Sequence, residues 1–110
     1  MNFKSKHNLK FEAAPYESNL DPNINWMRFR IGTCEGLWCA TETSYKILAI
    51  ENKNKGNGHL EDVIQWFENS CKRDKKSFEI LEVWNEGFKN HLINKYGFTK
   101  NNLDDLIKQC

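Results

Sequence analysis

Residues 45–71 read YKILAIENKNKGNGHLEDVIQWFENSC, and this stretch decides the fold. It begins with an apolar run, continues as a polar loop with two glycines (Asn52–His59, the glycine loop), and ends with apolar residues at positions 60, 63, 64, 67 and 71. That last spacing is typical of one helical face. Acidic residues lie in the first turn of the helix that this spacing predicts, and basic residues follow its end, an order that suits the helix dipole. The stretch therefore predicts a strand, a loop and a helix.

Three short strands are predicted around the start of that stretch. The segment Trp26–Ile31 alternates apolar and polar side chains, which is typical of a half-buried strand. Leu37–Thr41 and Tyr45–Glu51 are the next two strands, separated by turns at Glu35-Gly36 and Glu42–Ser44. Consecutive short strands joined by turns favour an antiparallel meander.

Another strand and further helices are predicted downstream. Ser77–Trp84 has the composition of a strand in which residues 78, 80, 82 and 84 share one face. Asn85 is a suitable N-cap for a second helix, which Gly97 ends as its C′ residue. Thr99–Cys110 is predicted to hold a short final helix.

The order of these elements gives the fold class. A strand, a helix and a strand in succession favour a parallel pair joined by a right-handed crossover. We therefore predict an α+β (mixed α/β) fold in which an antiparallel strand meander leads into one βαβ unit. A single domain covers residues 1–110, with residues 1–25 loosely structured apart from a short strand or entry segment at Lys10–Glu12.

The composition limits the class of function. The 110 residues carry a net charge of +1, so the overall charge does not favour binding to bulk nucleic acid or to a membrane surface. No apolar run is long enough to span a membrane, and residues 1–6 lack the apolar core of a secretory signal, so we expect a cytoplasmic location. The four cysteines form no C-x-x-C pair and are expected to be free thiols. Cys34 and Cys39 with two histidines offer an alternative zinc site, but their spacing matches no standard pattern, so no metal is expected.

The glycine loop carries the chemistry that the sequence indicates. Gly56 and Gly58 let the backbone approach a phosphate group without an intervening Cβ, and the N–H groups of the first helical turn point toward the loop. Lys53 and Lys55 add positive charge. The loop matches neither G-x-x-x-x-G-K-[ST] nor G-x-G-x-x-G, because Glu61 stands where the third glycine would be. A purely structural turn with a helix cap explains the two glycines equally well.

A family resemblance rests on the loop and its surroundings. Lys53–Gly58 follows an apolar strand and opens a helix, and the second helix ends in Gly97-Phe98. This arrangement resembles the GNAT acetyltransferase superfamily, whose members have Q/R-x-x-G-x-G/A at the loop and a Gly-Phe pair after a later helix. The resemblance covers roughly residues 37–98, and Lys53 replaces the usual glutamine or arginine.

The resemblance implies acetyl-coenzyme A (acetyl-CoA) as the co-substrate. In members, the loop amides hold the diphosphate, the pantetheine arm lies along the preceding strand, and the two parallel strands splay to admit the thioester. A residue just after the second parallel strand, here Asn85, contacts the pantetheine arm from the other side. The implied cofactor-binding residues are Leu48, Ala49, Ile50, Lys53, Asn54, Lys55, Gly56, Asn57, Gly58, His59 and Asn85.

Acetyl transfer to an amine needs a base, because a lysine with a pKa near ~10.4 is mostly protonated at neutral pH. Glu82 is the first candidate, since some relatives carry a catalytic glutamate on the strand after the helix, and Glu42 is the second. The resemblance implies that the Ile50 N–H donates to the developing oxyanion. The acceptor is expected to be an amine, and a lysine or N-terminus of another protein is one option.

Two departures from the family pattern keep other functions open. Members carry a tyrosine general acid where this chain has Ile93, and Tyr96 lies on a different part of the helix. Members also have more helices and strands on the acceptor side. The first alternative is therefore a GNAT-like interaction protein without catalysis. A small nucleotide- or nucleic-acid-binding domain is the second, which the near-neutral charge disfavours. No oligomeric state is indicated.

Overall fold

The computed structural model describes residues 7–16, 25–54, 56–83, 85–101 and 103–110. In these ranges the chain forms seven strands and two helices. They are β1 (Glu12–Pro15), β2 (Met27–Ile31), β3 (Cys34–Ala40), β4 (Ser44–Asn52), α1 (His59–Asp74), β5 (Ser77–Ile80), α2 (Glu86–Tyr96), β6 (Thr99–Lys100) and β7 (Leu106–Gln109). Neither α1 nor α2 is long and apolar enough to cross a membrane, and the described ranges hold no other candidate.

The strands form one sheet in the order β1-β2-β3-β4-β5-β7-β6. Neighbouring strands are antiparallel except β4 and β5, which are parallel and joined through α1. The α+β class is therefore confirmed, and so is the order in which an antiparallel meander leads into a βαβ unit.

The core lies between the sheet and the helices. In β2, Phe29 and Ile31 are buried while Arg28 and Arg30 are exposed, which is the alternation predicted for this strand. The apolar face of α1 covers these residues, as its helical spacing predicts, and α2 joins the same cluster. The buried apolar residues of the two helices are Val63, Ile64, Phe67, Cys71 and Leu92.

Local signals account for the ends of α2. The Phe88 N–H donates a hydrogen bond to Asn85 Oδ1 at 2.9 Å, which confirms the predicted N-cap. At the other end, Gly97 adopts a left-handed φ of 79° and its N–H donates to the Ile93 carbonyl. The predicted C′ residue is therefore confirmed as well.

The helix predicted within Thr99–Cys110 is wrong, because these residues form β6 and β7. Leu106 is fully buried and lies opposite Ile80 of β5. The turn between the two strands is built on Asn101, whose side-chain oxygen accepts hydrogen bonds from backbone N–H groups two and four residues later. β5 would otherwise leave a row of backbone groups unpaired at its edge, and β7 satisfies them.

The strand predicted over Ser77–Trp84 is too long, because β5 ends at Ile80. Glu82 has a left-handed φ of 53°, which breaks the alternation, so Glu82 is exposed and does not continue the buried face of β5. The Val83 N–H donates to the Asp104 carbonyl at 3.0 Å, which turns the chain toward β7. The last residue of the predicted strand lies outside the described ranges.

Within the N-terminal segment, the described residues 7–16 include a strand. β1 pairs antiparallel with β2, and Pro15 lies opposite Met27. Before β1, the Phe11 ring stacks on Trp66 of α1, with centroids 3.9 Å apart and planes 9° apart. Residues 1–6 and 17–24 lie outside the described ranges.

We expect Phe67→Ala to lower the free energy of unfolding by about 3–5 kcal/mol, because it removes a ring from the centre of the core. The Phe67 side chain is fully buried, and its centroid lies 4.9–5.5 Å from those of Phe29, Trp66 and Phe78. Urea unfolding measures the change. Leu103→Ala is the control, since Leu103 is 74% exposed and its loss should cost at most about 0.5 kcal/mol. Equal losses in the two variants would contradict this description of the core.

Candidate functional site

An extra residue interrupts the pairing of β3 with β4. The register shifts between Glu35 and Leu37, so that Ala49 and Ile50 of β4 together lie opposite Gly36. Such a β-bulge bends the strand and re-aims its side chains. Ala49 has a left-handed φ of 57°, which residues with a Cβ seldom adopt. The segment Leu48–Ile50 that sequence analysis singled out is therefore the irregular part of β4.

Gly36 lets the bulge approach β3 closely. A Cβ added at this position would lie 3.0 Å from the Phe29 ring and 3.1 Å from the Ile50 Cα. A larger residue would therefore push the bulge away from the sheet. The left-handed conformation of Ala49 costs roughly 1–2 kcal/mol, which the packing around the bulge must offset.

The parallel pairing of β4 with β5 stops just before the bulge. Ile47 lies opposite Ile80, and the Leu81 N–H donates to the Ile47 carbonyl at 2.8 Å. The next N–H, that of Glu82, donates instead to the Asp105 carboxylate at 2.8 Å. In the described part of the chain, β4 beyond Ile47 has no parallel partner, so the two strands diverge beside the bulge.

The N–H groups of the glycine loop are partly engaged within the protein. The His59 N–H donates to Asn57 Oδ1 at 3.0 Å, and the Asn54 N–H donates to Asn52 Oδ1 at 3.4 Å. The Lys53 N–H donates to a carbonyl of the turn between β2 and β3 at 3.0 Å. Four loop and first-turn N–H groups make no hydrogen bond to the described residues: those of Gly56, Asn57, Gly58 and Leu60.

Thr33, in the turn between β2 and β3, ties the glycine loop to the sheet. Its hydroxyl donates to Asn52 Oδ1 at 2.9 Å and accepts from Asn57 Nδ2 at 2.8 Å. Its N–H donates to His59 Nδ1 at 3.1 Å. Because Nδ1 accepts this bond, the neutral His59 ring carries its proton on Nε2 and can donate from there. The role of Thr33 could not be predicted from the sequence, since it depends on contacts between two distant segments.

His7 covers one side of the glycine loop. Its Nδ1 lies 2.6 Å from Oδ2 of Asp62, a buried carboxylate in the first turn of α1. A Cβ added at Gly58 would lie 2.8 Å from the His7 ring, so the imidazole packs directly on the loop backbone. An anion site was expected from all the amides of Lys53–His59, but several of these N–H groups are used within the protein; those of Gly56, Asn57 and Gly58 make no hydrogen bond to the described residues.

Positive charge near the loop is modest. The Lys53 ammonium is exposed and lies 3.0 Å from the Glu35 carboxylate, so its charge is shared with β3. Lys55 lies outside the described residues. Among the described residues, the positive potential at the loop therefore comes mainly from backbone N–H groups and the α1 dipole.

The two predicted carboxylate bases lie at different places along β4. Glu82 is exposed and lies where β5 turns away from β4, close to the level of the bulge. Glu42 is exposed in the turn before β4, and the strand from Ser44 to Ile50 alone spans roughly 20 Å at about 3.3 Å per residue. The structure therefore brings Glu82, but not Glu42, near the divergence of the strands.

A groove of about 390 Å³ separates α1 from α2. Tyr96 lines it, together with the Glu61 and Glu68 carboxylates of α1. Burial raises the pKa of Tyr96 to about 12, and both carboxylates add to the effect, so the phenol stays protonated at neutral pH. This groove could not be predicted from the sequence, because it is lined by residues of two separate helices.

The alternative zinc site is not formed by its two cysteines. Cys34 lies on the core side of β3, opposite Ile31, whereas Cys39 is five positions further along and points to the other face. Within the described ranges, no three His, Cys, Asp or Glu side chains are grouped to hold a metal ion.

The sequence matches no protein-family model, no curated protein and no solved structure.

We expect Ala49→Gly to raise the free energy of unfolding by about 1 kcal/mol, because glycine adopts the left-handed conformation without strain. Ala40→Gly is the matched control on β3, and it should lower the same quantity by about 0.5–1 kcal/mol. Urea unfolding of both variants measures the difference. A loss of stability in both would show that Ala49 carries no strain.

Proposed function

We propose that this protein is a small acetyl-CoA-dependent N-acetyltransferase with a GNAT-like fold, which transfers an acetyl group to an amine. One observation carries the proposal. The parallel strands β4 and β5 diverge beside a bulge, and β4 then leads directly into a glycine loop that opens α1. A divergence of this kind gives a thioester access to the middle of a sheet, and the loop beyond it offers backbone N–H groups to a diphosphate.

The bulged segment suits the pantetheine arm of the cofactor. That arm contains amide groups, which pair with strand backbone as another strand would. In the described part of the chain, Leu48–Ile50 has β3 on one side and no parallel strand on the other. The Asn85 side-chain oxygen is used in capping α2, so a ligand would meet its NH2 group.

The open part of the glycine loop, around Gly56, suits a diphosphate. Gly56 is exposed with a φ of 85°, and an added Cβ there would meet nothing within 4 Å. Its N–H and the neighbouring Asn57 N–H make no hydrogen bond to the described residues, so both are open to an anion, and His59 Nε2–H offers a side-chain donor in the same loop. Lys53 would have to leave Glu35 to contribute.

The chemistry requires removal of a proton from the amine before it attacks the thioester carbonyl. Glu82 is the predicted carboxylate that lies at the divergence, and we assign it as the base, acting through water. The Ile50 N–H belongs to the bulge and is the donor assigned to the oxyanion. A thiolate with a pKa near ~8.5 leaves without full protonation, so a residue other than tyrosine at position 93 is compatible with turnover.

A binding protein without catalysis is the second candidate, and two observations favour it. Ile93 replaces the tyrosine of the family pattern, and Glu42 lies far from the bulge. Such a protein would bind coenzyme A through the same loop and strand but would not acetylate an amine.

Gly56→Pro is expected to abolish acetyl-CoA binding, because proline removes an N–H and cannot adopt the φ of 85°. Gly56→Ala is the control: it keeps the N–H and its Cβ has space, but the left-handed φ costs it roughly 1 kcal/mol of stability, so each variant is compared with its own ligand-free form. Excess acetyl-CoA should raise the melting temperature of wild type and Gly56→Ala by several degrees and leave Gly56→Pro unchanged. No shift in wild type at millimolar acetyl-CoA would eliminate both candidate functions.

Glu82→Gln is expected to lower turnover strongly at neutral pH and less at pH values approaching the pKa of the amine, where the acceptor is already deprotonated. Mass spectrometry of lysine peptides and protein N-termini measures acetylation. Glu42→Gln is expected to keep the wild-type pH profile because of its distance. Identical rates for Glu82→Gln and wild type at every pH would remove Glu82 from the mechanism.

A further inference from the structure

Two cysteines meet where the end of β7 passes the second half of α1. Cys71 is fully buried on α1, and its Sγ–H donates to the Ser77 carbonyl at 3.4 Å. Ser77 lies opposite Gln109 in the pairing of β5 with β7. Because Cys110 follows Gln109 directly, it lies at the same end of the sheet as Cys71. The Cys110 side chain is exposed.

The alternation of β7 places the Cys110 side chain toward α1. Lys108 lies opposite the buried Phe78, and its Nζ donates to Glu68 of α1 at 2.8 Å. Side chains two residues apart on a strand share a face, so Cys110 is on the helix side as well.

The Cys110 thiol affects the pKa of the Cys71 thiol. Burial raises the pKa of Cys71 to about 12, and the neighbouring Cys110 thiol is the next largest cause. Burial also raises the pKa of Cys110.

The other two cysteines, Cys34 and Cys39, are not placed to form a disulfide with Cys71 or Cys110. Cys39 is on the opposite face of the sheet. Cys34 follows Thr33, which contacts His59 at the start of α1. Roughly 18 Å of helix separate residues 59 and 71, at about 1.5 Å per residue, so Cys34 lies at the opposite end of α1 from Cys71. Cys71 and Cys110 are therefore the only pair among the described residues that a disulfide can join.

We propose that Cys71 and Cys110 form a redox-sensitive pair, which a peroxide converts into a disulfide that joins β7 to α1. This pair lies apart from the bulge and the glycine loop, so the inference does not depend on the proposed function.

The reaction follows from the unequal exposure of the two thiols. The exposed Cys110, as thiolate, attacks hydrogen peroxide: an S–O bond forms, the O–O bond breaks, and the released hydroxide takes up a proton to give water. The Cys71 sulfur, after losing its proton, then attacks the Cys110 sulfur. The S–S bond forms, and the S–O bond breaks to release a second water. Two thiols are oxidised and one peroxide is reduced, and a dithiol reverses the change.

The disulfide would close a loop of about 40 residues that contains β5, α2, β6 and β7, which restricts the unfolded chain. The oxidised protein should therefore melt at a temperature several degrees higher than the reduced one. Because the attacking species is a thiolate and the pKa of Cys110 is raised, the reaction should be slow at neutral pH and accelerate as pH rises.

The test treats the reduced protein with excess hydrogen peroxide and measures its mass, its free thiols after denaturation, and its melting temperature. Wild type is expected to lose two hydrogens and two free thiols, and dithiothreitol should restore both. Cys39→Ala is the matched control and should behave as wild type. Cys110→Ser changes an exposed side chain, so it should fold normally but lose no hydrogens and show no rise in melting temperature.

Three outcomes would overturn the inference. The first is a loss of two hydrogens that persists in Cys110→Ser. The second is addition of oxygen atoms to Cys110, or a disulfide-linked dimer, in place of the internal disulfide. The third is wild type that keeps all four thiols in excess peroxide at alkaline pH.

Discussion

The close approach of Gly36 to the bulge at Ala49 and Ile50 controls how β4 diverges from β5. One extra residue bends β4 at the place where its bonds to β5 end, so the strands diverge and do not continue as a regular parallel pair. The glycine loop starts only two residues beyond the bulge, and its position depends on that bend. The left-handed backbone at Ala49 is tolerated because the surrounding core holds both strands in place.

Much of the fold could be predicted because its signals are local. The spacing of apolar residues defines α1 to within a few residues, and Asn85 and Gly97 mark both ends of α2 through bonds made within one turn. The antiparallel meander and the parallel pair follow from the order of these elements. In the candidate site, the composition of the glycine loop sets it apart from the flanking elements, whereas the segment Leu48–Ile50 was singled out only by the family resemblance.

The parts that could not be predicted depend on contacts between distant residues. The apolar residues near the C-terminus fit a helix as well as a strand, and only the free edge of β5 decides between them. Ala49 gives no sign of a bulge, because alanine is not the residue that a left-handed position favours. His7 and Thr33 lie far from the loop in sequence, and their contacts with it arise only in the folded chain. The exposure of Glu82 follows from a turn toward Asp105, which also lies far along the chain.

The two outer strands of the sheet have a consequence for the behaviour of the protein at high concentration. A sheet edge with a long row of open backbone groups can recruit the edge of another molecule and start aggregation. Here one edge strand, β1, spans four residues and includes Pro15, which has no N–H to offer, and the other, β6, spans two. Neither strand is a long template, so the architecture itself opposes edge-to-edge growth into fibrils.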